Sequence, residues 1–403
     1  MSLMALFFIN LITFVIIYLT LIFAFLKSKE NVHPWSALVV ILFIVLTASW
    51  YSDDMALQWV LIEASTLIGA LLISMSRTEK SIEVAWKFLL LNSFGLGIAF
   101  LGLIVLSYAI HINVTMKASE LIKDIHESHG LMVEIGLWLA IYGYSAKLGL
   151  FPNHFWVSDT YAESPSQISS AIASFLPIAV SIAMRPLIQM DLIHSTSMIN
   201  SVTGLFVMGV ITMFYSIWTI YHTNDIRRIT AQIALFHSGS LAVFLCLNPS
   251  DTIFYFVLAS NLTVKALLFF AMGILRIDAE TRMLNEIQEE TGLSKTATSL
   301  YIASFGMAFV LPLSPIFLSD LLLIQIGLNQ LKYWIVVVPI LGLIFFVIGM
   351  FKILPIMNIP SRKFLSENRR ILNIRVFFTS ILISIILVMG VYGLFMFSTG
   401  GFL

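Results

Sequence analysis

Twelve stretches of about 20 apolar residues, each closed by a short polar interval, run the length of the chain. At about 1.5 Å of rise per helical residue, each can cross the roughly 30 Å hydrocarbon layer of a bilayer. They fall at 3–26, 36–52, 55–76, 84–109, 132–150, 166–185, 200–222, 229–248, 252–273, 297–327, 332–355 and 376–398. No interval between them is long enough for a soluble domain. Composition agrees: 59% of residues are hydrophobic and 11% charged, where a soluble domain carries roughly 25% charged residues. No water-soluble fold could cover so much apolar surface, so the expected fold class is an all-α polytopic membrane protein.

The run from Leu3 to Phe25 has no basic segment before it and ends in "KSKE" with no small-residue cleavage site, which predicts a retained helix. The tenth run is too long for one straight crossing and holds Pro312 and Pro315. Proline removes a backbone donor and clashes with the preceding turn, so a broken helix is expected there. A second break is expected at Gly149 and Pro152 in the fifth run. Odd-numbered loops hold Lys27, Lys29, Arg77, Lys80, Arg227, Arg228, Arg276, Arg282, Lys295, Arg362, Lys363, Arg369 and Arg370. The excess of basic residues places those loops in the cytoplasm and both termini outside, in a membrane read as the prokaryotic cytoplasmic (inner) one. The fifth loop departs from this rule, with Asp159 and Glu163 and no basic residue. A net charge of zero gives no reason to expect a nucleic-acid partner. Cys246 is the single cysteine and can form neither an internal disulfide nor a cluster site, so no cofactor, metal or catalytic residue is expected.

Five ionisable groups lie inside apolar runs: Glu63, Lys147, His237, Lys265 and Asp320. An intramembrane charge costs about 2.5–3.5 kcal/mol on insertion scales and by default marks an ion or proton path. Each also has a plainer reading. Glu63 can sit at the membrane edge, Lys147 can snorkel, and His237 can be a satisfied core histidine beside Ser238 and Ser240. Lys265 follows an approach softened by Ser260, Asn261 and Thr263, and Asp320 can merely cap the second half of a broken helix.

The spacing favours function. Glu63 and Lys147 are 84 residues apart on the third and fifth runs, and His237 and Asp320 are 83 apart on the eighth and tenth. Each residue is five spans from its counterpart, and an odd offset reverses direction in the membrane. An inverted-topology repeat predicts this arrangement and places its ion site on broken helices near the midplane.

From about Ala56 to Leu328 the sequence resembles a known family, the antiporter-like membrane subunits of complex I, Mrp cation/proton antiporters and hydrogenase-4 or formate hydrogenlyase-type membrane-bound hydrogenases. "WKFLLLNSFGLGIAFLG" (86–102) and "NDIRRITAQIALFHSGSL" (224–241) resemble two of its helices. "SAKLGLFPNHFWVSDTYAESPSQISS" (145–170) is similar to its lysine and "PLHxW" segment, the most specific match. "NLTVKALLFFAMG" (261–273) and "LPLSPIFLSDLLLI" (311–324) follow in order.

The resemblance implies two inverted five-helix bundles with two broken helices, and a proton path along buried Glu63, Lys147, His154, His237, Lys265 and Asp320. It implies N-terminal helices over 1–52, half-channels over 53–190 and 198–355, and a C-terminal loop and last helix over 356–403. Departures are also visible. Pro177 stands where many members carry a relay lysine, Asn261 where a histidine is expected, and the core reads as trimmed at its N-terminus.

The implied role is a proton-translocating, non-catalytic subunit of a complex I-related redox assembly, either hydrogenase- or formate-linked or an NADH:quinone oxidoreductase. Its partners would be other membrane subunits and, through them, a soluble redox or hydrating module. Two alternatives share the fold: a Na⁺/H⁺ antiporter subunit of Mrp type, and the membrane subunit of an inorganic-carbon uptake complex. A b-type cytochrome would leave the lysines unexplained, and a scaffold without conduction would need none of them.

Overall fold

The structure, a computed structural model, describes residues 1–25, 33–110, 116–125, 130–194, 200–289, 292–360 and 369–398. Lys27, Lys29, Arg362 and Lys363 lie outside the described residues. The chain runs α1 (Leu3–Phe25), α2 (His33–Ser49), α3 (Met55–Ile73), α4 (Glu79–Ala109) and α5 (Ala118–Asp124). It continues with α6 (Leu131–Leu148), α7 (Phe155–Glu163), α8 (Ser166–His194), α9 (Ser201–His222), α10 (Ile226–Leu245) and α11 (Asp251–Ala279). It ends with α12 (Leu284–Glu289), α13 (Lys295–Phe309), α14 (Pro315–Asn329), α15 (Val337–Ile353) and α16 (Arg369–Ser398). Among the described residues, nine helices are long and apolar enough to span a membrane, and α2 and α14 are shorter apolar ones.

Both expected breaks are present. The fifth run is α6, an irregular segment at 149–154, and then α7. The tenth is α13 and α14, separated at 310–314. In each set of five spans, α2 to α8 and α9 to α15, the fourth member is the broken one. A chain that reverses at every crossing therefore presents the second set upside down relative to the first.

Burial separates centre from rim. In α11, 94% of the apolar window is covered, and in α10, 89%, whereas α16 has 28% and α15 33%. Large apolar side chains such as Phe94, Trp218 and Phe351 point outward from the rim, as a helix facing hydrocarbon requires. In the first half α3 packs on α4, α4 on α6, and α7 lies between α4 and α10. The α4–α6 contact is close because small residues line it. A Cβ added at Gly102 or Gly143 would collide with the backbone of the facing helix, the small-residue packing expected where no hydrophobic force drives helices together. The halves meet where α8 packs on α11 and α6 on α9.

Candidate functional site

Lys147 stands in the last turn of α6, which stops because Gly149 adopts φ 78°, a left-handed conformation open to glycine. The Leu150 amide closes back on the Ser145 carbonyl at 3.0 Å. The partial negative charge at a helix C-terminus favours an ammonium there. Lys147 is 1% exposed, so it does not snorkel. Its Nζ donates to Thr66 Oγ1 at 2.5 Å and lies 5.2 Å from the centre of the Phe88 ring.

Glu63 lies one helical turn before Thr66 on α3 and is half-buried. Thr66 Oγ1 donates to its Oε2 at 3.3 Å, and Ser93 of α4 donates to its Oε1 at 2.5 Å. The expected Glu63–Lys147 pairing is therefore indirect: no ion pair joins them among the described residues, and the Thr66 hydroxyl bridges the two charges. A hydroxyl can accept from one group while donating to another, so the bridge is chemically continuous.

The second half has a matching pair of groups. Lys265, 1% exposed in the middle of α11, donates to Ser238 Oγ of α10 at 3.2 Å. One residue earlier, the buried His237 has no partner for Nε2, and its ring lies tilted at 5.1 Å from that of Phe309 at the end of α13. His237, Asn261 and Asp320 line one small cavity with Ser240 and Ser319, with room for about one water molecule. Asp320 does not cap α14. That role belongs to Ser314, whose side chain accepts from the Ile316 amide at 3.2 Å. The carboxylate is thus left to face the cavity.

His154 stands apart from these bonds. It precedes α7 and is caged by Phe151, Phe155 and Tyr215, with ring centres 5.6, 4.4 and 4.0 Å away. At the position of the missing relay lysine, Pro177 lies inside α8 without breaking it. Proline has no amide hydrogen to give the Ala173 carbonyl. Ser170 and Ser174, preceding it at helical spacing on α8, are buried with hydroxyls that have no partner, as are Thr160 of α7 and both side-chain polar atoms of Gln232 of α10. Buried polar groups without partners are uncommon, and these, on helices α7, α8 and α10 that pack on one another, are suited to bridging by water. Thr66 was within reach of sequence reasoning, one turn from Glu63, whereas the serines were not.

Buried acids and bases on two broken-helix repeats define an antiporter-like membrane subunit. Residues 52–349, well over half of the chain, match the family described as "NADH:quinone oxidoreductase/Mrp antiporter, TM", and the chain belongs to that family. It is 25% identical over 286 residues to a hydrogenase-4 component F homolog of Methylacidiphilum infernorum, covering 68% of this chain and 59% of that one. It is 22% identical to a Na(+)/H(+) antiporter subunit of Alkalihalophilus pseudofirmus, covering 77% and 63%. The chain thus spans about six tenths of the length of these relatives. Among solved structures, it superposes on a chain of the Dietzia sp. Mrp complex with TM-score 0.79, 15% identity and coverage of 98% and 82%. A chain of the archaeal membrane-bound sulfane sulfur reductase gives TM-score 0.76, 19% identity and coverage of 91% and 74%. At these identities the two structures speak to the fold.

Proposed function

We propose that the chain translocates protons as a non-catalytic, antiporter-like subunit of a complex I-related membrane redox assembly, hydrogenase- or formate-linked or quinone-reducing. The carrying observation is the fully buried Lys147 ammonium, joined through Thr66 to Glu63 at a helix break. Paired through that hydroxyl, the lysine keeps its proton. When the Glu63 carboxylate is withdrawn or neutralised, no full negative charge is left to balance the buried ammonium, and the proton leaves.

Residues 53–190, completed by α2 as the fifth span, and 198–355 would be the two half-channels. The unpartnered hydroxyls of Thr160, Ser170 and Ser174, with Gln232, would carry water between Lys147 and Lys265 where Pro177 replaces a relay lysine. The cavity shared by His237 and Asp320 would be the far end, and His154 a positioning group at the break. Partner subunits would supply the driving event, in a prokaryotic cytoplasmic membrane with the basic loops inside.

Inverted vesicles carrying the assembled complex test this. Lys147→Ala should abolish donor-driven proton uptake while electron transfer by the partner module persists. Unchanged uptake would refute the assignment. A second reading, a subunit of Mrp type, is favoured by the oxygen-rich wall of Asn261, Ser319 and Asp320. Na⁺-dependent pH changes without any redox donor would select it.

A further inference from the structure

A second cavity, separate from the proton path, lies at the end of the bundle where α8 and α10 begin and α11 finishes. It is partly open to solvent and is lined by Arg227, Arg276 and Arg375, on α10, α11 and α16, with Ser166 and Gln167 from the first turn of α8. Among the described residues, no carboxylate lines it. Glu163 and Asp225 are close by, but Arg282 binds both, at 3.0 and 3.3 Å. None of the three lining guanidinium groups makes an ion pair among the described residues.

Two of these arginines are buried, Arg227 at 5% exposure and Arg375 at 9%. Arg227 donates to the Ser164 carbonyl and Arg375 to Ser166 Oγ at 3.3 Å. The Nε of each, and the Nε2 of the 3%-exposed Gln167, have no partner. Like charges gathered in a partly buried site repel unless an anion stands between them. The first turn of α8 adds unpaired backbone N–H groups and the positive end of a 29-residue helix dipole. Gly273 of α11 keeps the site open, since a Cβ there would press on Ser166 and on an Arg375 nitrogen 3.3 Å away.

We propose that this cavity binds a phosphate group, presented by the headgroup of an anionic phospholipid or as free inorganic phosphate. Guanidinium forks match phosphate oxygens in shape and charge, and basic pockets between membrane helices are suited to anionic headgroups. Bound there, the phosphate ties α16, the last helix of the chain, to both halves of the bundle.

The full chain in mild detergent, exposed to phosphatidylglycerol or phosphatidylcholine and then examined by native mass spectrometry, tests the site. One phosphatidylglycerol should be retained per chain, in preference to phosphatidylcholine. Arg276→Gln, at an exposed position, should lower retention about fivefold, and Arg375→Gln at least as much. If free phosphate is the source, lipid retention will be weak. Millimolar inorganic phosphate will then raise the thermal midpoint above that in sodium chloride of equal ionic strength, and Arg276→Gln will erase the rise. Phosphatidylglycerol retention unaltered by both variants, or no response to either probe, overturns the proposal.

Discussion

Thr66 is the hydroxyl on which the first half of the path turns, because it receives the Lys147 proton donor and donates onward to Glu63. Valine has nearly its shape and neither capacity. Thr66→Val should therefore leave a buried ammonium without its partner, a loss of about 1.5–3 kcal/mol for a hydrogen bond to a charged group. Proton uptake by the assembled complex should fall about tenfold or more, and Thr66→Ser should restore most of it. Equal rates for the valine and wild-type proteins would show that the proton goes another way. The charged members of the site were legible in the sequence because a charge within an apolar run is rare. Ser93 and Ser170 were not, and Thr66 was marked only by lying one turn from Glu63, since hydroxyls are common in membrane helices and most bond to their own backbone. Ser181 bonds to the Pro177 carbonyl at 2.7 Å and Thr212 to that of Met208 at 2.6 Å. Only the packed structure tells which hydroxyls are left free to relay.

The element that decides where Lys147 ends up is the break between α6 and α7. Gly149 combines a left-handed φ with a wall formed by the Val157 side chain. Alanine there should destabilise the protein by about 1–2 kcal/mol from backbone strain alone, with the steric overlap added, and should cut transport by displacing the ammonium. Gly97 supplies the control, since a Cβ at that position meets nothing within 4 Å. Gly97→Ala should be neutral or slightly stabilising, by up to about 1 kcal/mol. Thermal inactivation of the detergent-solubilised chain would compare the two, and similar losses from both would deny the break its special role. Every apolar run in the sequence is helical in the fold, the tenth as two helices, but the ends were less legible. Hydropathy marks where the oil begins, whereas a helix begins at its cap. Helix α4 starts at Glu79 rather than 84 because Thr78 and Ser81 form a capping box and Glu83 pairs with Lys87 at 2.6 Å. Helix α8 likewise runs on past 185 to His194, through Pro186.

At the scale of the molecule, ion pairs at the basic end sew the two halves together. Arg228 of α10 reaches Asp159 of α7 at 2.9 Å, and Arg282 holds both Glu163 of α7 and Asp225. The segment read from the sequence as an acidic fifth loop is thus helix α7, whose Asp159 and Glu163 pair with basic residues of the second half, which accounts for its sign. Pairs with a solvent-exposed arginine contribute about 0–1 kcal/mol each at a surface, so their value lies in registering one half against the other. Registration matters only if the halves form one path, and that is open to a direct test. Along a single series of transfers, Lys147→Ala and Lys265→Ala should each stop proton uptake, and the double variant should be no worse than either alone, the non-additivity expected of groups acting as a unit. Arg282→Ala, which touches neither lysine, should slow uptake without abolishing it, because the two lines of hydroxyls lose alignment rather than a member. Two independent half-channels would behave differently: each lysine variant would retain a share of the flux, and only the double variant would be silent. The buried, unpartnered groups of Thr160 and of Ser170 and Ser174, on α7 and α8 of the first half, and of Gln232, on α10 of the second, favour the single series, because these helices pack on one another and water bridging the groups would join the halves.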